Sequence, residues 1–260
     1  MEKRKNRSME TVRKPFQGVL NIVRFNWHFY VLAVIISIIL FITTFWLPLF
    51  YSIIISVLIL IIIITTSVSL LVSFYVYDVS KLYQLNWLQN DENQIQIINI
   101  NAGFDETSTL LKSKYKKADL TVLDFYDPKK HTKISIKRAR KTYPAYPNTR
   151  QISTSELNLE NNFANKIFLT FAAHEIRNEQ ERIVFFQKIN EILKPNGQII
   201  VTEHLRDLPN FLAYTIGFFH FYSKSNWIKI FENANLKIKS EQKITPFITS
   251  FILIKNGNTP

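Results

Sequence analysis

The sequence has no cysteine, only five glycines in 260 residues, and no Asp, Glu, Lys or Arg between Arg24 and Asp78. The first absence excludes disulfides and thiolate chemistry, and it accords with a reducing compartment. The scarcity of glycine leaves no complete Gly-x-Gly-x-x-Gly, the phosphate-binding fingerprint of ordinary nicotinamide-dependent sheets. The missing charge leaves 53 consecutive uncharged residues, from 25 to 77.

A bilayer core takes roughly 20 apolar residues per helical span. The uncharged run is too long for one span and suits two, over about 29–47 and 50–75. They are broken at Pro48, because proline cannot extend a helix on its donor side and displaces the residue before it. Ile53, Ile54 and Ile55, and later the run 60–64, leave no polar face, which favours lipid over a soluble helical hairpin. A cleavable signal fits poorly, because the run far exceeds the apolar region of a signal peptide.

Charge sets the expected orientation. Residues 1–24 carry Lys3, Arg4, Lys5, Arg7, Arg13, Lys14 and Arg24 against Glu2 and Glu10, and the turn near Pro48 carries no charge. Excess Lys and Arg mark the cytoplasmic side. The expected organisation is therefore a basic cytoplasmic segment (1–24), a transmembrane hairpin (25–77) and a cytoplasmic domain (78–260) in the inner membrane. The net charge of +12 falls to +7 without the first segment. A basic face suits anionic lipid head groups. No basic-aromatic repeat or known motif argues for nucleic acid.

The remaining 180 or so residues alternate strands and helices, the pattern of an α/β sheet. A helix is expected at 80–90 and a first strand at 94–100, followed by the loop Asn101, Ala102, Gly103, Phe104, Asp105 and a helix to 116. A second strand (120–123) ends at Asp124. A basic helix (134–142) and a weak strand (150–153) follow. The stretch 165–207 reads strand, helix (179–193), a turn at Lys194-Pro195-Asn196-Gly197, and strand (198–202). After a last helix (225–235), strands 236–244 and 247–255 are joined only by Thr245-Pro246, which forces an antiparallel hairpin.

The order of elements from 94 to 255, with IKRARKTYP, FLTFAAHEI and EILKPNGQIIVTEH, resembles class I S-adenosylmethionine (SAM) dependent methyltransferases of the quinone and small-molecule kind. The resemblance implies a Rossmann-like sheet ending in an antiparallel hairpin, with SAM as cofactor. In that family a glycine-rich loop after the first strand lets the backbone approach the methionine part of SAM. Here the loop keeps only Gly103. Asn101 and Asp105 stand at the other glycine positions, and Asn99 at that of the usual acid. Asp124, 21 residues beyond Gly103, falls where such folds place the acid that grips ribose hydroxyls. Phe125 beside it is placed to stack on adenine or to join the core.

Methyl transfer to a hydroxyl or activated carbon needs a group to take a proton, and histidine titrates in the right range. His174 follows the fourth strand and His204 the fifth, so these two are the expected catalytic residues. His220 lies in the next aromatic segment and His131 in a basic loop. Glu203, Arg206 and Asp207 read as a structural set holding the post-strand loop, and no tight spacing supports a metal site. The aromatic stretch 209–227 reads as core, as the wall of an apolar pocket, or as a segment dipping into the lipid interface. The expected function is a membrane-anchored methyltransferase acting at oxygen or carbon of a lipophilic small molecule. The rival is a non-catalytic membrane interaction protein with a degenerate methyltransferase-like domain.

Overall fold

A computed structural model describes residues 13–130 and 133–257. Lys3, Arg4, Lys5, Arg7, Glu2, Glu10 and His131 lie outside the described residues. The uncharged run folds into helices α1 (Gln17–Thr43) and α2 (Leu49–Phe74), separated at Pro48 by a short 3₁₀ turn. Both are long and apolar enough to cross a membrane, and their most apolar windows are not buried by the rest of the protein. Their hydroxyls bond back to the helix itself, as Ser37 does to Ala33 O and Thr65 to Ile61 O. Such self-satisfaction suits apolar surroundings that offer no water. α1 starts twelve residues before the expected span and kinks at Asn26, whose side chain donates to Ile22 O.

Beyond the helix pair lies a seven-stranded sheet of order β3-β2-β1-β4-β5-β7-β6. The strands are β1 (Gln96–Asn101), β2 (Asp119–Asp124), β3 (Arg150–Gln151), β4 (Ala164–Thr170), β5 (Leu193–His204), β6 (Leu236–Thr245) and β7 (Ile248–Lys255). The first five run parallel, and β7 inserts antiparallel between β5 and β6. The hairpin at Thr245-Pro246 and the Rossmann-like sheet expected from the sequence are both present. The remaining helices are α3 (Ser108–Lys114), α4 (Ile134–Thr142), α5 (Glu179–Ile192), α6 (Leu208–Tyr214) and α7 (Lys224–Asn233). Ile167, Leu169, Ile199 and Val201 pack on Phe185 and Phe186 of α5 and on Trp227 and Phe231 of α7, all fully or almost fully buried. Strand order reverses between β1 and β4, and in such sheets the crevice at the carboxyl ends of those strands receives ligands.

Two local expectations fail. The helix at 80–90 is only a 3₁₀ turn, Leu82–Gln84, because Leu85 turns left-handed (φ 55°) and Trp87 Nε1 donates back to Leu82 O. The turn at Lys194–Gly197 lies inside β5, where pairing jumps from Ala164–Leu193 to Lys166–Gln198. The strand absorbs the proline as an irregularity rather than ending there.

The packing also crosses the expected boundaries at 24 and 77. Asp78 accepts from the N–H groups of Gly18 (2.7 Å) and Val19 (2.8 Å), supplying an acid to the start of α1. A Cβ on Gly18 would lie 2.4 Å from Tyr77 Cβ, so this approach needs glycine. Tyr143 donates to Asn21 and Arg138 to Phe25 O. The start of α1 and the end of α2 are therefore built into the sheet domain.

Candidate active site

The loop after β1 is closed by its own side chains. Asn99 Nδ2 donates to Asp105 (3.2 Å), Thr107 (3.0 Å) and Ser108 (2.8 Å), and Asp105 Oδ1 accepts the N–H groups of Thr107 and Ser108. Asn101 Oδ1 accepts Gly103 N–H. Gly103 has φ +95°, and its open side already faces the Arg140 guanidinium and the Tyr126 ring. Asp124 is buried, with Oδ1 accepting Tyr126 N–H and Oδ2 paired to Arg140. Phe125 belongs to the core, its ring 5.2 Å from that of Phe185, so of its two expected roles the packing selects the core one.

Beside this loop lies a cavity of about 230 Å³. Its floor is formed by Asn101, Ala102, Phe104 and Thr107 after β1, and by Thr170, Phe171, His174 and Glu175 after β4. Its roof comes from α1, through Asn21 and Phe25, and from the segments flanking the helix pair, through Arg13 and Tyr77. Half-buried Glu106 accepts from Arg13 (3.2 Å) and from the Tyr83 hydroxyl (2.8 Å). Burial raises the Glu106 pKa against the lowering pull of Arg13 and Tyr83. Two buried polar atoms of lining residues lack a partner, Arg13 Nη2 and Asn21 Nδ2, as does Asp105 Oδ2 behind the cavity. Buried polar groups left unpaired are costly, and a ligand is one way to satisfy them.

The far side of the cavity is a charge cluster. His174 Nδ1 lies 2.7 Å from Glu203 and Nε2 3.1 Å from Glu175. Burial alone would lower the His174 pKa, but Glu203 and Glu175 outweigh it and raise it to about 9. At neutral pH the ring is a cation that donates to both carboxylates. Lys133 Nζ donates to both Glu175 oxygens and to His220 Nε2 (2.6 Å). Burial, chiefly, lowers the His220 pKa to about 4, so its ring is neutral. His174, Glu175 and His220 bring possible metal-ligand atoms within 4.8 Å of one another. The Lys133 ammonium stands among them and supplies the positive charge from the chain itself.

His204 is placed differently. It is buried between the rings of Phe171 and Phe221 and does not line the cavity. Asn210 gives its N–H groups to Asp207 and Phe247 O, so its oxygen accepts His204 Nδ1–H. Nε2 then accepts from the Tyr77 hydroxyl (2.8 Å). Burial, first of all, lowers this ring to about pKa 4. Both nitrogens are committed, which fits a positioning part. The structure thus gathers Asn101 and His174 at the cavity, while Gly103 beside it faces Arg140 and Tyr126. It holds Asn99, Asp105 and Asp124 just behind it in internal bonds and sends His204 and Phe125 elsewhere. The sequence reading missed Arg13, Asn21 and Lys133. Each is remote in the chain from the motifs it joins, and no local signal marks it.

Among solved structures, a SAM-dependent methyltransferase from Aquifex aeolicus superposes with a TM-score of 0.50 at 12% identity, covering 73% of this chain and 97% of that one. The fold is that of class I SAM-dependent methyltransferases. A SAM-dependent methyltransferase from Methanosarcina mazei gives 0.49 at 13% identity, over 67% of this chain and 97% of that one. One from Clostridium acetobutylicum gives 0.48 at 10%, over 67% and 90%. No family model matches the sequence, and no curated protein does. At these identities the methyltransferase fold is what the likeness carries.

Proposed function

We propose that the chain is a membrane-anchored SAM-dependent methyltransferase that acts at oxygen or carbon of a lipophilic small molecule on the cytoplasmic face of the inner membrane. The observation that supports it most is one cavity bounded by the loop after β1 on one side and the His174–Glu175 cluster on the other. The fit to SAM rests on its amino-acid end. A zwitterion needs an adjacent cation and carboxylate, and Arg13 and Glu106 present that pair, with an unpartnered Arg13 N–H to spare. Asn101 and Ala102 form the neighbouring wall, and Asp124 becomes available to ribose hydroxyls once Arg140 turns aside. When bound, SAM supplies an electrophilic methyl group on a sulfonium.

His174, a cation at neutral pH that gives both its N–H groups to Glu203 and Glu175, holds the Glu175 carboxylate at the cavity rather than taking a proton. His220 Nε2 is taken by Lys133 and His220 does not line the cavity, which suits an acceptor that reaches the site already nucleophilic. Phe25, Phe104 and Phe171 keep the space apolar, in keeping with a lipophilic acceptor. The two uncharged helices and the basic residues before them support the anchor.

The self-bonded loop and the Asp124–Arg140 pair favour a second reading, a scaffold that no longer methylates. Calorimetric titration of the detergent-solubilised full chain with SAM, S-adenosylhomocysteine and NADH separates the two. Binding of the first two but not NADH is expected, and radiolabelled SAM with a lipid extract then finds the acceptor. No heat from any of the three would leave the scaffold reading standing.

A further inference from the structure

Residues 208–220, Leu-Pro-Asn-Phe-Leu-Ala-Tyr-Thr-Ile-Gly-Phe-Phe-His, carry no Asp, Glu, Lys or Arg. They form α6 and a following 3₁₀ turn, Thr215–His220, joined at Thr215 with φ 47°. One face is fixed to the protein. Asn210 is fully buried and bonds to His204, Asp207 and Phe247 O, and Ala213 is buried beside it. Arg206 donates to Phe219 O and ties the end of the segment back to its beginning. The other face is bare and apolar: Leu208 is 67% exposed, Leu212 63%, Ile216 84% and Phe219 62%.

The sequence leaves three uses open for this stretch. It does not wall the cavity, because no residue from 208–220 lines it. Its exposed side chains are not core either. What remains is a face needing a cover, since contiguous apolar surface of this kind marks an interaction site.

Its position says which cover. α6 packs against α2. Asn210 holds the carbonyl of Phe247, whose ring meets that of Tyr75 at the end of α2. The bare face therefore continues the apolar surface of the helix pair, where Leu71 is 65% exposed. We propose that residues 208–219 form a third membrane contact, an interfacial segment whose bare face lies in bilayer lipid. It would fix the sheet domain against the membrane at the loop that follows β5. The proposal rests on the anchoring reading above, but not on methylation. An amphipathic element of this kind sinks its apolar face about 5–10 Å into the boundary between head groups and acyl chains.

The absence of cysteine makes the test clean. Single substitutions Leu212→Cys, Ile216→Cys, Leu60→Cys in α2 and Ser155→Cys in an exposed loop are spin-labelled in the full chain. The protein is reconstituted in vesicles of phosphatidylcholine and phosphatidylglycerol. Accessibility to oxygen, which enters lipid, is compared with accessibility to a water-soluble nickel chelate. Labels at 212 and 216 are expected to favour oxygen as the label at 60 does, at a shallower depth, while the label at 155 favours nickel. Nickel access at 216 equal to that at 155, with 60 still in lipid, would overturn the third contact and leave the anchor intact. Nickel access at 60 would sink the anchor and the proposal together. A label at 216 shielded from both reagents would mean a protein cover, such as a second copy, and would also overturn it.

Discussion

At the ends of β1 and β2, polar side chains bond mainly to one another, Asn99 to Asp105, Thr107 and Ser108, and Asp124 to Arg140. At the ends of β4 and β5, His174, Glu175 and Glu203 meet Lys133, which reaches in from the start of α4, in one largely buried cluster that opens on the cavity. Both regions sit on the same sheet edge and share one roof. The contrast shows that position at a strand end does not by itself make a reactive group. Both sets are bonded internally, and what differs is whether the charged groups line the cavity, as His174 and Glu175 do and Asp105 and Asp124 do not.

The harshest way to break this comparison is to remove the shared roof. Deleting residues 1–77 takes away Arg13, Asn21, Phe25, Tyr77 and the buried Val76. The sequence alone suggests a self-sufficient domain from 78 onward, whereas the packing predicts that the truncated chain loses S-adenosylhomocysteine binding. Calorimetry decides, and unchanged affinity would mean that the roof is dispensable.

Next in size is the cluster itself. Glu203→Ala strips a buried partner from His174 and should cost about 3–5 kcal/mol, the usual scale for breaking a buried pair. Denaturant unfolding reads it directly. A loss below about 1 kcal/mol would show that the cluster is wetter and looser than its geometry.

The cluster also fixes a pH dependence. The His174 pKa is raised to about 9 in the folded protein from an ordinary 6.5. Its contribution is therefore complete below 6.5 and lost as pH rises through 9, by roughly 3 kcal/mol at the limit. His204 and His220 move the other way, to about 4, so their effect is lost as pH falls from 6.5 through 4. Stability should peak near pH 6.5. His174→Gln should flatten the alkaline limb only, and an unchanged limb would assign it to another group.

The β1–β2 side calls for a subtler probe. Asp124→Ala should weaken S-adenosylhomocysteine binding by roughly 1.5–3 kcal/mol, the scale of hydrogen bonds to a charged group. Arg140→Ala should strengthen it, by releasing the same carboxylate. Asp127→Ala should change it by less than about 0.5 kcal/mol. Equal affinities for all three would show that the ribose site lies elsewhere.

Much of this was legible in the chain. Element order, the hairpin at Thr245-Pro246 and the helix pair follow from hydrophobic period, proline and the lack of charge, all of which act locally. The place of His174 at the sheet's edge was legible from its position after β4, but not its charge, which depends on Glu203, 29 residues away. His204 looked equivalent by the same rule. Only packing shows it clamped between Tyr77 and Asn210 and walled by Phe171 and Phe221.

The sequence by itself determined where the chain is apolar, where strands and helices alternate, and which polar residues fall at strand ends. These depend on side-chain periodicity and on the backbone limits of proline, which need no distant partner. The tertiary structure decided that Arg13 and Asn21 roof the cavity, that Arg140 engages Asp124, and that Lys133 enters the His174 cluster. Burial and the charge of groups distant in sequence set protonation and availability, and both exist only once the sheet and the helix pair have closed on each other.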